Sequence, residues 1–179
     1  MNNHLKPKIL LHICCAPCSA SSVKVLKDLY DITFYWYNPN IWDFNEYEKR
    51  KDAAIKYAKE LKVTFYEEKS FDYNYNNWKE QSLETCKLCY SLRLEKTILF
   101  AKLNNFDFFS TSLLSSPYQK HDLIKQTAEN LSSKYLVNFL YADFRNFFYE
   151  GKNFLKQKGY YTQKYCACHK SYKERFKSE

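Results

Sequence analysis

KILLHICCAPCS, residues 8–19, decides the fold. Its first half, Lys8 to Ile13, is a short unbroken apolar run, the pattern of a strand buried on both faces in a parallel sheet. The run stops at a cysteine turn. Beyond it Ser19 is placed to cap a helix on which Val23, Leu26 and Tyr30 recur at helical spacing. The chain therefore opens as strand, cysteine loop, helix.

The alternation continues. Asp31 to Tyr37 (DITFYWY) is a second strand, ended by the turn Asn38-Pro39-Asn40. A charged helix is predicted from Asp43 to Leu61 with Tyr47, Ala54, Tyr57, Ala58 and Leu61 on one side, then a strand from Val63 to Tyr66. Ser70 to Glu84 is polar and rich in Asn and Tyr, and is expected to cross the active face with a short helix near Trp78. Cys86 and Cys89 open a long helix to Asn104, followed by a strand Asp107–Thr111, a helix Gln119–Lys134 and a strand Phe139–Ala142. From Asn146 onward come a helix, a Tyr-rich loop with Cys166 and Cys168, and a short basic tail. Such alternation gives an α/β fold: a doubly wound, mainly parallel sheet, Rossmann-like and HUP-like, with cysteine-bearing loops at the C-terminal strand ends. Residues 1–179 are expected to form a single domain.

Composition narrows the chemistry. The apolar run before CCAPCS is too short for a secretory signal or a membrane span, which places the protein in the cytoplasm with no membrane partner. In that reducing compartment seven closely spaced cysteines point to metal or redox chemistry rather than structural disulfides. With 28 basic and 20 acidic residues the net charge is +8, which favours a polyanion such as nucleic acid but does not specify one. Only two glycines occur. No dinucleotide fingerprint or phosphate loop is present, so neither an NAD nor an ATP site is expected and electrons must come from an external donor or through thiols.

The cysteines fall into three groups. Cys14, Cys15 and Cys18 sit beyond the first strand, where doubly wound sheets bind ligands and where a helix N-terminus favours thiolates. Cys86 and Cys89 form a CxxC on one helical turn. With Cys14 and Cys15 they offer four thiolates, enough for one zinc or one iron–sulfur cluster. The adjacent pair 14 and 15 fits separate irons of a cluster better than two vertices of one small tetrahedral ion. Cys166 and Cys168 form a CxC, whose disulfide would close a strained and therefore labile ring, though a second metal clip is the alternative. His169, in the basic tail, is expected to be exposed.

The segments LLHICCAPCS (10–19), YNPNI (37–41), EYEKR (46–50), ETCKLCYSLRLEKT (84–97), FSTSLLSSPYQKHDLI (109–124), YADFR (141–145) and GYYTQKYCACHKS (159–171) together resemble the cobalamin-independent epoxyqueuosine reductase family, the QueH type. The resemblance implies reduction of epoxyqueuosine to queuosine at the wobble position of the tRNA anticodon, the last step of that pathway. It implies a 4Fe-4S cluster on Cys14, Cys15, Cys86 and Cys89, an adjacent mononuclear iron within reach of Cys18, and a redox-active pair at Cys166 and Cys168. Where the family often shows CGC, this chain has Ala167. Candidate proton donors or substrate contacts are Tyr90, Arg93, Tyr118 and His121; Tyr37, Tyr118, Arg145 and Tyr161 are candidate contacts to a splayed base or its phosphates. The rivals are an ATP-using tRNA thiolase, which would need a pyrophosphate loop where CCAPCS stands, and a zinc module that binds nucleic acid without turnover.

Overall fold

A computed structural model describes residues 5–68 and 83–176. Within them five parallel strands form one sheet: β1 (Lys8–His12), β2 (Asp31–Trp36), β3 (Thr64–Glu67), β4 (Phe108–Thr111) and β5 (Asn138–Phe139), in the order β3-β2-β1-β4-β5. The chain winds outward from β1 to β3, then crosses back to place β4 on the other side of β1. The order reverses between β1 and β4, and the crevice at their C-terminal ends is where such sheets bind ligands.

β1 is central because its sequence can be buried on both faces: Ile9, Leu10 and Leu11 are fully enclosed. His12 is enclosed too. Its Nδ1 meets Thr111 Oγ1 of β4 at 2.9 Å and its Nε2 meets the Tyr37 carbonyl beyond β2 at 3.2 Å. Burial, with the Arg93 charge second, lowers its pKa to about 3, so the ring is a neutral staple across three strand ends.

The helices are α1 (Ala16–Leu26), α2 (Phe44–Leu61), α3 (Leu83–Leu103), α4 (His121–Tyr135), α5 (Phe148–Gln157) and α6 (His169–Phe176). α1 packs against α2 and α5, while α3 packs against α4, the two groups that right-handed crossovers in this order create. Asp43 caps α2 by accepting from the Glu46 amide at 2.7 Å, and Lys62 ends it in the left-handed region.

Three expectations are corrected. α1 starts at Ala16 and not after Ser19, because Cys15 is the cap: its sulfur accepts from the Cys18 amide at 3.4 Å and Pro17 occupies the first turn, where a missing N–H costs nothing. Ser19 lies inside the helix, bonded back to the Cys15 carbonyl at 2.7 Å. The basic tail is a helix, α6. His169 is only 8% exposed, edge-on to the Trp42 ring at 4.9 Å, because Trp42 and the Tyr165–Tyr172–Phe176 rings give α6 an apolar seat that spacing alone did not show. β5 is two residues long, since the chain leaves the sheet after Phe139. The short helix expected near Trp78 lies outside the described residues.

α5 can lie close on α1 because it carries Gly151. A Cβ there would stand 2.8 Å from Ser21 Oγ and 3.0 Å from the Ser21 backbone nitrogen. Gly151→Ala is therefore expected to destabilise the fold by about 1–3 kcal/mol, read as a lower denaturant midpoint with an unchanged slope. An unchanged midpoint would show that the two helices separate without cost.

Candidate active site

The cysteines gather at the switch point. Cys14 leaves β1 with its amide donating to Ser112 Oγ at 2.9 Å, and that hydroxyl lies 3.3 Å from Cys14 Sγ, so the loop beyond β4 fixes the first sulfur. The sulfurs of Cys14, Cys15 and Cys18 lie within 4.8 Å of one another. Hydrogen bonds from Cys15 and Cys18, then the charge of Arg93, hold the Cys14 thiol well below its usual range. Burial pushes the Cys15 thiol up, and sharing with Cys14 and Cys15 pushes Cys18 up. Cys14 and Cys15 are 3.8 Å apart. That equals the edge of about 3.8 Å that a tetrahedral site with bonds of about 2.3 Å requires, so the adjacent pair does not by itself disfavour a single ion, contrary to the sequence expectation.

Cys86 and Cys89 are buried in the first turns of α3, with burial raising the Cys89 thiol to about 11 against the pull of Arg93. Arg93 stands between the two sulfur groups. One nitrogen reaches Cys89 Sγ at 3.7 Å and another donates to Asn38 Oδ1 at 2.6 Å, while the Asn38 amide holds the Ile13 carbonyl at 2.9 Å. A second buried cation, Arg50, pairs with Glu46 at 2.6 Å and donates to the Tyr165 carbonyl at 3.2 Å. It anchors the loop that carries the last two cysteines. From the same loop Gln163 donates to Cys15 Sγ at 2.6 Å. Cys166 is lowered to about 5 by its hydrogen bond from Cys168, then by Gln119 and by Arg93 and Arg50; Cys168 moves in the opposite direction.

Beside them lies a cavity of about 630 Å³ whose wall includes Cys14, Cys18, Arg93, Tyr90, Gln119 and Cys166; Cys15, Cys86, Cys89 and Cys168 are not among its wall residues, and among the described residues the close group of metal-ligating sulfurs is Cys14, Cys15 and Cys18 without Cys86 and Cys89. Among the described residues, buried polar atoms without a hydrogen-bond partner include Asn40 Oδ1, Arg93 Nε and Gln163 Oε1, all from residues on this wall. Such orphans are the mark of a site built for a polar or charged occupant. An all-sulfur donor set beside buried arginines suits a soft anionic metal group.

The family model described as epoxyqueuosine reductase QueH matches residues 9–174. The chain belongs to the QueH family. The relative from Dehalococcoides mccartyi, named epoxyqueuosine reductase QueH, is 36% identical over 176 residues, covering 96% of each chain. One of the same name from Thermotoga maritima is 34% identical over 172 residues, 89% of this chain and 88% of that one. Among solved structures, a predicted subunit of tRNA methyltransferase from Methanocaldococcus jannaschii superposes with a TM-score of 0.52 at 14% identity, covering 91% of this chain and 94% of that chain. That likeness shows the fold.

In this QueH-family chain the expected site residues divide. Tyr90, Arg93 and Tyr118 reach the cavity wall, Tyr118 at its rim with 75% exposure. His121 and Arg145 are not among the wall residues. The His121 ring bonds the Tyr141 hydroxyl at 3.1 Å, and Arg145 grips its neighbour Asp143 through two nitrogens. Tyr37 gives its carbonyl to His12, and Tyr161 donates to Glu46 at 2.5 Å, so both brace the scaffold. Asn38, Arg50, Gln119 and Gln163 were not singled out from sequence. The Glu46/Arg50 spacing of four on a helix was the one legible signal for a buried pair.

Removing one partner of a buried ion pair leaves the other charge stranded. Arg50→Leu is expected to cost about 3–5 kcal/mol in urea unfolding and to expose the 159–168 loop to limited proteolysis. A change under about 1 kcal/mol, the range of a surface pair, would show that Arg50 does not hold that loop.

Proposed function

We propose that this chain, acting as one domain over residues 1–179 in the cytoplasm, reduces epoxyqueuosine to queuosine in the anticodon of tRNA. The observation that carries the reading is the QueH-family match over residues 9–174 on a chain whose Cys14, Cys18 and Cys166 line one cavity at the switch point. No helix among the described residues is long and apolar enough to cross a membrane.

Cys14, Cys15, Cys86 and Cys89 are the residues that would hold a 4Fe-4S cluster, and Cys18, packed among the sulfurs of Cys14 and Cys15, would serve an adjacent mononuclear iron. Bound there, these groups would supply electron relay and Lewis acidity. The chain's own residues do the rest. Removing the epoxide oxygen takes two electrons and two protons and yields an alkene and water. Oxidation of the Cys166 and Cys168 thiols to a disulfide releases two electrons and two protons, so one dithiol balances one epoxide. An external reductant must then reopen the disulfide. Arg93 sets a fixed positive charge beside the place where oxygen gains electrons, while the Tyr90 hydroxyl on the cavity wall donates to Gln119 Oε1 at 2.7 Å and so orients that amide.

The substrate is a base on a polyanion. Lys120, Lys152, Lys164, Lys170 and Arg175 line the cavity with Glu174 as the acid among them, a rim suited to the phosphates on either side of a splayed nucleotide. The cavity volume of about 630 Å³ is in the range of sites that enclose a small ligand.

The test is turnover. Protein purified anaerobically and reconstituted with iron and sulfide is expected to convert epoxyqueuosine-containing tRNA with dithionite. Colourless protein holding one zinc and giving no conversion would overturn the reading in favour of a single ion on Cys14, Cys15 and Cys18, which their spacing permits. Cys166→Ser is expected to end turnover driven by a thiol reductant while the cluster stays bound; loss of the cluster would instead make Cys166 a ligand. The double variant Lys152→Ala, Lys164→Ala is expected to raise KM for tRNA about tenfold or more at 150 mM salt and to flatten the salt dependence by roughly one to two contacts. An unchanged slope would place the phosphates elsewhere.

A further inference from the structure

Three hydrogen bonds run in a single direction toward Cys166. The backbone N–H of Lys120 can only donate, and it meets the Tyr90 hydroxyl oxygen at 3.3 Å. Tyr90 therefore spends its proton on Gln119 Oε1, at 2.7 Å. With Oε1 occupied, the Gln119 amide turns its Nε2 to Cys166 Sγ at 3.2 Å. The opposite amide orientation would leave the tyrosine proton without an acceptor. An amide nitrogen accepts nothing, so Cys166 is the acceptor at the end of this chain.

Cys168 is in the contrary position. It is not among the cavity-wall residues, is 8% exposed, and its thiol faces Ser171 Oγ at 3.5 Å. The Ser171 hydroxyl in turn reaches the carbonyls of Cys166 and Cys168 at 2.7 and 2.8 Å, which pins the turn between them. One sulfur of the pair faces the cavity as an acceptor, and the other is packed behind it.

We propose that Gln119, with its amide locked by Tyr90, is a positioning residue that makes Cys166 the charge-bearing, cavity-facing sulfur of the pair and leaves Cys168 as the buried sulfur that closes onto it. The proposal rests on the redox role given to the pair above. In the forward half-reaction the Cys166 thiolate and Cys168 thiol form a disulfide, releasing two electrons and one proton; the second proton of the water formed is drawn from solvent, to which Cys166 gave its own on ionising. In the return, a dithiol reductant meets Cys166 first. Its thiolate bonds to Cys166 as Cys168 leaves and takes a proton; its second thiol then displaces Cys166, which departs as a thiolate onto the Gln119 amide while the reductant becomes a disulfide. Arg93 from α3, Arg50 from α2 and the Cys89 and Cys168 sulfurs also face Cys166, and all remain in the variants below.

The experiment follows alkylation of the reconstituted, reduced, full-length protein by iodoacetamide from pH 5 to 9, with Cys166 and Cys168 quantified separately by peptide mass spectrometry. Cys166 is expected to react first, at a rate nearly flat above pH 6. In Gln119→Leu the Cys166 rate at pH 6 is expected to fall about tenfold and to regain a rise with pH, because a hydrogen bond to a charged sulfur is lost. Tyr90→Phe, which keeps the amide but unlocks it, is expected to fall by a smaller factor in the same direction. Iron and sulfide content and KM for tRNA should hold in both, with the change appearing in kcat under a thiol reductant. Cys168 reacting first, or a Cys166 profile unmoved in both variants, would overturn the assignment. Thiol-driven turnover that survives Cys166→Ser would instead sink the redox role of the pair, an outcome separable from the order of alkylation.

Discussion

A guanidinium buried among sulfurs is the contact on which the site depends. Arg93 is enclosed at the C-terminal edge of the sheet, and an isolated charge there would be prohibitively costly. The structure compensates it with Cys89 at 3.7 Å, with Asn38 at 2.6 Å, and with the negative charge held on Cys14 and Cys166. Through Asn38 it also reaches the Ile13 carbonyl at 2.9 Å, so one side chain joins the loop after β1, the loop after β2 and helix α3. The arrangement is reciprocal: the arginine favours the charged form of the sulfurs that face it, and they in turn favour the charge of the buried arginine.

The second half of the site is closed by the loop before α6. Tyr160 donates to Glu60 at 2.7 Å and Lys158 pairs with the same carboxylate, while Arg50 holds the Tyr165 carbonyl and stacks 5.1 Å from that ring. Gln163 and Cys166 are thereby brought over Cys15 and Gln119. The loop of Cys166 and Cys168, the proposed redox pair, thereby brings Cys166 to the cavity that Cys14 and Cys18 line without any glycine-rich turn. This chain has two glycines in all. Apart from the Cys18 amide on Cys15, the polar contacts to sulfur seen among the described residues come from side chains, chiefly the amides of Gln119 and Gln163 and the hydroxyls of Ser112 and Ser171.

Much of the fold was legible because its signals are local. The unbroken apolar run of β1, the Asp43 cap and the helical spacing along α2 each specify an element by themselves, and the alternation of elements specifies the parallel sheet. The errors arose where a distant residue decides. Ser19 has the chemistry of a cap, but a sulfur three residues away from the amide it serves does that work. α6 looked like a solvated tail because the seat for its aromatic face, Trp42, lies far away in sequence. For the site, cysteine spacing drew out the cysteines but said nothing of their partners. Asn38 looked like a turn residue, and Gln119 like the first residue of a helix, since hydrogen bonds to sulfur leave no periodic trace. His121 and Arg145 carried suitable chemistry and lie off the wall of the cavity.

The central claim is that sulfurs from the β1 loop and from α3 share one iron–sulfur group. An anaerobic crystal structure of the reconstituted protein with anomalous scattering collected at the iron edge tests it directly. The expected result is a four-iron group bonded to Cys14, Cys15, Cys86 and Cys89, with Arg93 beside it and Cys166 across the cavity. A lone metal peak on Cys14, Cys15 and Cys18, with Cys86 and Cys89 bound to nothing, would contradict it.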